Sequence, residues 1–315
     1  MLSSAYATLR DRGAATLASA ACNLAYGNFQ RQVLGRRYVE KRIYDYRMLL
    51  DLEDRGISRS LLLFGRRELD HKVMLERILT PGMRIFDIGA NIGYYVLMEL
   101  GRIGPDGRVL AIEPSPANVA LLQRNLALNG ANGRVTLLEG AVSDRAETRS
   151  FHLSEQSNLN TFHAMDPDAQ HLSGKTIDVS TFTVPTLAAD HGAPDLIRMD
   201  VEGHEVEVIN GLLPAVEGGT MAPMIIFETH RTRYSAEHDL ETPLRRLFAC
   251  GYGVTLAASS WQEGTALVEA RGYRGSAPIA TDGVTRAIFE DLKDDDAVDF
   301  ICRTGGLRTV LLAKR

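Results

Sequence analysis

The sequence predicts an α/β fold: a doubly wound, mostly parallel sheet with an antiparallel last strand, preceded by an N-terminal extension. After Pro81, short apolar runs rich in β-branched residues alternate with helical stretches, which is typical of a parallel sheet covered on both faces. The first of these runs leads directly into a glycine turn. The composition, 45% hydrophobic and 24% charged over 315 residues, is that of a globular chain with a sizeable core.

The region after Pro81 is expected to hold the sheet and its covering helices. Strands are expected at residues 84–88, 108–113, 135–138, 195–199, 224–228, 253–256 and 309–313. Helices are expected at residues 94–101, 116–129, 204–212 and 239–249. The patterns at about 151–187 and 259–306 are weaker, so we interpret these segments as insertions in a domain that covers 81–315.

Residues 1–80 are expected to form a helical and β-hairpin extension. Residues 1–47 have a helical composition, whereas 48–68 read as two short strands broken by Asp54, Arg55 and Gly56, the composition of a hairpin. Residues 69–80 form an amphipathic pattern that Pro81 ends. The extension is also a candidate surface for contacts between copies of the chain in a homo-oligomer.

Charge and cysteine usage exclude several classes of protein. Residues 1–80 hold 14 Lys and Arg against 9 Asp and Glu, but the remainder holds 21 against 31, which argues against a protein that wraps nucleic acid. Three widely spaced cysteines without a CxxC motif indicate neither a disulfide framework nor a zinc knuckle, so a cytoplasmic location is expected. The uncharged run at 13–28 is shorter than the roughly 20 residues that span a bilayer, so no transmembrane segment is expected.

The segment IFDIGANIG at 85–93 is a strand that runs into a glycine turn and then a helix. Gly89 and Gly93 lack a Cβ where the backbone must turn tightly or approach a ligand. Ala90 and Asn91 complete the loop, and the helix that begins at Tyr94 offers free N–H groups to an anion such as a carboxylate. We therefore expect these residues to bind a cofactor.

Glu113 ends the second strand and is followed by Pro114. An acid at this position can accept the ribose hydroxyls of a nucleoside, both in dinucleotide sites and in S-adenosylmethionine sites. Asn91 replaces the second glycine of G-x-G-x-x-G, and Asp87 places a negative charge near the loop. This charge would repel a pyrophosphate and attract an amino group or sulfonium, which favours S-adenosylmethionine. An NAD-dependent oxidoreductase and a non-catalytic scaffold that binds through the basic N-terminal segment are the alternatives.

Acidic and imidazole side chains follow two later strands. Asp200 follows the strand LIRM, and Glu228 and His230 end the strand IIFETH, so they are expected at the edge of the sheet where such folds bind ligands. We expect Asp200 and Glu228 to contact the acceptor, with His230 or His204 as the base, because imidazole titrates near neutral pH. The two carboxylates could instead hold Mg²⁺, and the sequence leaves base and metal open.

Two further pairs are candidates for ligand contacts. Ala141 and Val142 follow the third strand and are expected to flank an adenine. Asn158 and Asn160 lie in the weakly patterned segment and could orient a polyol, although turn formation explains them as well.

The motifs FDIGANIGYY, AIEPSPANVALLQRNLALNG, LIRMDVEGHEVEVINGL and IIFETH together resemble the FkbM-type methyltransferase family over about residues 48–231. The resemblance implies a class I methyltransferase (Rossmann-like) fold, S-adenosylmethionine as the donor, and O-methylation of a hydroxyl on a sugar, polyketide or related small molecule. The family's donor-site motif falls on Asp87, Gly89, Asn91, Gly93 and Glu113. Residues 1–47 and 259–306 are outside the resemblance, so it does not identify the acceptor.

Overall fold

The computed structural model describes residues 2–163 and 172–315, with side chains from residue 9 onward. Its helices are α1 (Leu2–Gln32), α2 (Ile57–Phe64), α3 (Leu69–Ile78), α4 (Tyr94–Ile103), α5 (Pro116–Leu128), α6 (Val184–His191), α7 (Glu205–Glu217), α8 (Glu241–Ala249), α9 (Gln262–Glu269) and α10 (Asp294–Val298). Its strands are β1 (Tyr38–Ile43), β2 (Tyr46–Asp51), β3 (Arg84–Ile88), β4 (Arg108–Glu113), β5 (Val135–Glu139), β6 (Ala141–Val142), β7 (Thr148–Ser154), β8 (Leu172–Phe182), β9 (Leu196–Met199), β10 (Met224–Glu228), β11 (Tyr252–Ser259), β12 (Ile279–Thr281), β13 (Val284–Arg286), β14 (Ile288–Leu292) and β15 (Leu307–Lys314).

Eight strands form the central sheet in the order β14-β11-β15-β10-β9-β3-β4-β5. The five strands from β10 to β5 run parallel, and β15 lies antiparallel between β10 and β11. This arrangement confirms the predicted doubly wound sheet with an antiparallel last strand. It has the strand order of class I methyltransferases, with β14, from the predicted insertion at 259–306, added to one edge by pairing with β11.

The hydrophobic core lies on both faces of this sheet, because successive residues of a strand point to opposite sides. Phe86 of β3 belongs to a buried cluster with Ile209 of α7 and Leu244 of α8. Its neighbour Ile85 belongs to a second buried cluster with Val96 of α4 and Leu122 of α5. The runs of consecutive apolar residues in the strands follow from this double covering.

Of the predicted N-terminal elements, the helix at 69–80 is confirmed as α3, whereas the helix at 1–47 and the hairpin at 48–68 are wrong in their positions. Helix α1 ends at Gln32, and the hairpin is β1–β2, in which Ile43 pairs with Tyr46. Burial alternates along both strands of this hairpin with a period of two residues, which is typical of a strand. The helical interpretation of 1–47 overlooked this alternation. The predicted second strand of the hairpin is helix α2, because Ile57 and Leu61, four residues apart, face the core together.

The predicted insertion at 151–187 supplies most of a small sheet in the order β6-β8-β7. Its residues 164–171 lie outside the described part of the chain. The domain boundary at residue 80 stays a prediction, and Met74 of α3 shares a core cluster with Ile85 of β3 across it. None of the helices described in 2–163 and 172–315 is long and apolar enough to cross a membrane.

Candidate active site

A cavity lies over the carboxyl ends of β3, β4 and β9, where a parallel sheet of this kind binds ligands. The space between its lining residues amounts to about 510 Å³, which includes the part that is open to solvent. Its lining includes these predicted residues: Gly89, Asn91, Glu113, Pro114, Ala141, Val142, Asn158, Asn160, Asp200 and His204. The structure therefore brings together predicted residues from five separate segments of the chain.

Glu113 holds the loop that precedes α4. Its Oε2 accepts a hydrogen bond from the backbone N–H of Asn91 at 2.9 Å, and its Oε1 accepts from Ser115 N at 3.0 Å and Asn118 Nδ2 at 3.1 Å. Burial raises the pKa of Glu113 to about 7, although these hydrogen bonds act in the opposite direction. The carboxylate retains lone pairs for hydroxyl donors in the cavity, since each oxygen can accept more than one hydrogen bond.

Part of the cavity lining is apolar. Ala141 and Val142 of β6 are buried there, and Phe151 of β7 and Phe162 stack edge-on with ring centroids 4.8 Å apart. A flat aromatic ligand would find both apolar surface and the Glu113 carboxylate in this cavity. The contribution of Phe151 and Phe162 was not foreseeable from their weakly patterned segment.

Asp87 lies beneath the loop and does not line the cavity. It is fully buried, and its Oδ1 accepts a hydrogen bond from Arg198 Nη1 at 3.0 Å. The same guanidinium lies 4.1 Å above the ring of Tyr95 and reaches the carbonyl of Gly89 at 3.4 Å. Arg198 thus balances the charge of Asp87, and the predicted attraction of a cationic ligand by Asp87 stays a prediction.

The remaining loop residues border a second cavity. Ala90 and Tyr94 line it together with Arg198 and Asp200, and it encloses about 390 Å³. Gly93 caps α4 with a φ of 89°, a conformation that favours glycine. Because Asp200 lines both cavities, they meet at the end of β9.

Four carboxylates surround the imidazole of His230. Nδ1 of His230 lies 2.8 Å from Glu205 Oε1, and Nε2 lies 3.5 Å from Glu202 Oε2, 3.9 Å from Asp200 Oδ1 and 4.0 Å from Glu228 Oε1. The ends of β9 and β10 and the start of α7 bring these groups together, because β9 and β10 are adjacent and parallel. We call these five side chains the acidic cluster.

Burial and charge set the protonation of the acidic cluster. Burial alone would lower the pKa of His230, but Glu205 and Glu202 outweigh it and raise this pKa well above its ordinary value. His230 is therefore an imidazolium at neutral pH, which argues against the predicted role as a base. Burial raises the pKa of Glu202 to about 7 and that of Glu228 to about 8.

Glu202 is the functional candidate that the sequence interpretation missed. It lines the first cavity and has a φ of 51°, an uncommon conformation for a residue with a Cβ that concentrates at functional sites. The neighbouring Gly203 is the signal that could have indicated a sharp turn here. Glu228 lines neither cavity, and its Oε1 pairs with Arg308 Nη1 at 2.7 Å.

His204, the other predicted base, belongs to a different group. Its Nε2 lies 3.1 Å from Ser143 Oγ, and its Nδ1 lies 3.2 Å from Glu207 Oε2 and 3.3 Å from His163 Nε2. Burial lowers the pKa of His204 to about 4, so it is neutral at physiological pH. Its contacts separate it from the acidic cluster.

Two groups within the described residues have the spacing to hold a cation. One comprises Asp200, Glu202 and His230, and the other comprises His163, His204 and Glu207. The predicted Mg²⁺ ligand Asp200 is in the first group, whereas Glu228 is in neither. The imidazolium of His230 already supplies positive charge to the first group, so a cation there would compete with its proton.

The sequence of this chain matches a known protein family across the candidate site. Residues 87–254 match the model described as "Methyltransferase FkbM domain", which is just over half of the 315 residues. The chain belongs to this family. The match runs from Asp87 at the cofactor loop through the acidic cluster to β11, so the family assignment covers both parts of the candidate site.

Curated relatives resemble this FkbM-family chain over part of their length. It is 30% identical over 155 residues to "Methyltransferase sdnD" of Sordaria araneosa, covering 41% of this chain and 60% of that protein. It is 30% identical over 161 residues to "31-O-demethyl-FK506 methyltransferase FkbM" of Streptomyces tacrolimicus, covering 42% and 61%. It is 25% identical over 177 residues to "Hexuronic acid methyltransferase AglP" of Haloferax volcanii, covering 52% and 65%. The chain thus spans less than two thirds of each of these relatives.

Among solved structures, the chain is similar to a methyltransferase FkbM from Methylobacillus flagellatus KT. That match has 16% identity and a TM-score of 0.37, and it covers 74% of this chain and 52% of the other. At this level of similarity, we infer nothing about the chemistry of this chain from that protein.

Proposed function

We propose that the chain is an S-adenosylmethionine-dependent O-methyltransferase that acts on a hydroxyl of a small, sugar-like molecule. One observation carries the proposal: Glu113 and the Gly89–Gly93 loop line a cavity that meets the acidic cluster at Asp200. A nucleoside site and a proton-accepting site at adjacent strand ends are the two parts that such a transfer requires.

The residues present fit the donor. Glu113 would accept the ribose hydroxyls, and the apolar wall with Ala141 and Val142 would cover the adenine. The N-terminal turn of α4, which begins after Gly93, offers backbone N–H groups to the amino-acid carboxylate. The absence of a second loop glycine, where Asn91 stands, disfavours the pyrophosphate of NAD.

The acidic cluster would remove the proton of the acceptor. When bound, S-adenosylmethionine supplies a methyl group that bonds to the acceptor oxygen while the electron pair of the S–C bond stays on sulfur. Glu202 takes the hydroxyl proton, because it lines the cavity and a pKa of about 7 suits a general base at neutral pH. His230, held by Glu205, positions Glu202 and Asp200 by charge and supplies the positive charge that a metal ion would otherwise provide.

The nature of the acceptor is inferred from two kinds of support. Asn158 and Asn160 line the cavity with amide groups, which suit the hydroxyls of a polyol. The names of two relatives refer to O-demethylated FK506 and to a hexuronic acid. Both support an oxygen-rich small molecule as the acceptor class.

Calorimetry with S-adenosylmethionine, S-adenosylhomocysteine and NAD tests the donor. We expect the first two to bind and NAD not to bind; binding of NAD alone would refute the donor assignment. Methyl transfer from isotopically labelled S-adenosylmethionine to a panel of sugars then tests Glu202 as the base. The variant Glu202→Gln is expected to lower kcat by roughly 10²–10⁴-fold. The matched control Glu269→Gln changes an exposed acid of α9 and should leave kcat unchanged.

A further inference from the structure

A cleft beside the candidate cofactor site is strongly basic. It encloses about 890 Å³ and is lined by six arginines and two carboxylates. The arginines are Arg12, Arg55, Arg59, Arg67, Arg286 and Arg308. They come from α1, α2, β13, β15 and the loops on either side of α2, so the fold gathers them into one place. The chain as a whole has a net charge of −5, so the cleft reverses the prevailing charge.

The arginines at the floor of the cleft are held by buried acids. Arg286 Nη1 lies 2.7 Å from Asp70 Oδ1, and the side chains are 6% and 0% exposed. Arg308 reaches Glu228 at 2.7 Å and Glu68 at 3.1 Å. These ion pairs fix the floor and leave little of its charge for a ligand.

The arginines at the rim are differently placed. Arg55 pairs with Glu155 at 3.4 Å, but these side chains are 74% and 65% exposed, and such a pair contributes little in water. Arg59 is exposed and makes no ion pair or hydrogen bond with any residue that the structure describes. Arg59 is therefore free to bind an anion, and Arg55, four positions earlier in the chain, can exchange its exposed partner Glu155 for one.

The cleft adjoins the candidate cofactor site. Asn158 lines both the cleft and the cavity that contains Glu113, and its Oδ1 is buried without a hydrogen-bond partner among the described residues. Arg308 of the floor contacts Glu228, which lies 4.0 Å from His230. A molecule that extends from the cleft past Asn158 into the first cavity, which Glu202 lines, would thus have one end at the arginines and the other beside the acidic cluster.

We propose that the acceptor carries a carboxylate or phosphate group, which Arg55 and Arg59 bind; this rests on the proposed methyl transfer. A guanidinium donates paired hydrogen bonds to either group. The acidic cluster repels an anion, so the charged end stays at the rim and the neutral hydroxyl points toward Glu202. The charge gradient from rim to acidic cluster sets the orientation of the acceptor.

Calorimetry on the full chain saturated with S-adenosylhomocysteine tests this binding. The probes are glucuronate, glucose 6-phosphate and glucose, which share a sugar ring and differ in charge. We expect at least one anion to bind tenfold or more tightly than glucose, and the tighter anion identifies the group. In the double variant Arg55→Gln/Arg59→Gln, this affinity should fall at least tenfold. The control Arg31→Gln changes an exposed arginine of α1 outside the cleft and should bind as the wild type does.

Three results would overturn the inference: glucose binding as tightly as both anions, no measurable binding of either anion, or unchanged anion affinity in the double variant. Binding of S-adenosylhomocysteine, measured first for every variant, shows that each one is folded. Failure of the wild type at that step refutes the proposed function instead, so the two failures are distinguishable.

Discussion

The ion pair beneath the cofactor loop provides a sharp test of the structure. Arg198 and Asp87 are 3% and 0% exposed, with Nη1 and Oδ1 3.0 Å apart. Arg198→Met keeps most of the side-chain volume but leaves Asp87 as an uncompensated buried charge. Removing one partner of such a pair costs about 3–5 kcal/mol in the free energy of unfolding, a large share of the roughly 5–15 kcal/mol typical of folded proteins.

Local contacts place the expected loss in the upper half of that range. Within the described residues, Oδ2 of Asp87 has no hydrogen-bond partner, so no hydrogen bond already present there replaces the one that is lost. The variant also loses the guanidinium contact with the Tyr95 ring at 4.1 Å, worth about 0.5–2 kcal/mol. We therefore expect a loss of about 4–5 kcal/mol for Arg198→Met.

Urea unfolding with linear extrapolation measures this loss. The double variant Asp87→Asn/Arg198→Met should recover part of it, because the unpaired charge of Asp87 is removed. The control Arg271→Met breaks pairs with Asp296 and Asp299 in which the arginine is 46% exposed, and should cost no more than about 1 kcal/mol. The reasoning fails if Arg198→Met costs as little as the control, or if the double variant is no more stable than Arg198→Met alone.

Three further predictions concern the site. Because burial raises the pKa of Glu113 to about 7, its ionised form is lost as the pH falls through 7. Calorimetry from pH 5 to 9 should therefore show that the affinity for S-adenosylmethionine falls on the acid side. The variant Glu113→Gln should remove that pH dependence. A Cβ at Gly89 would lie 2.2 Å from the carbonyl oxygen of Asp200 at a φ of 79°, so Gly89→Ala should cost at least about 1–2 kcal/mol in urea unfolding; wild-type stability would contradict the close approach. The kcat of methyl transfer should rise through pH 7 as Glu202 loses its proton; a flat profile would exclude it as the base.

Periodicity predicted the parallel part of the fold well. The expected strands at 84–88, 108–113 and 224–228 have the observed bounds, because each is a run of apolar residues closed by a turn signal. The antiparallel last strand is also confirmed. The extension is where periodicity failed: α2 was expected as a strand because a short apolar run fits both periods, and only packing against the core separates them.

The candidate site was predictable where a residue follows a strand. Gly89, Glu113 and Asp200 meet because parallel strands end at one edge of the sheet. The interpretation of Asp87 was incomplete, since its partner Arg198 lies 111 residues away. The sequence could not indicate the protonation state of His230 either, because its pKa depends on Glu202 of the loop after β9, Glu205 of α7 and Glu228 of β10.

The sequence by itself determined the order of strands and helices in the parallel part of the sheet, the glycine loop after β3 and the family, since these depend on residues that are neighbours along the chain. Only the tertiary structure decided which charges meet: Arg198 with Asp87, His230 with the acids around it, and the arginines of the cleft. The physical reason is that electrostatic interactions depend on distance and burial, and both are set when distant segments pack together.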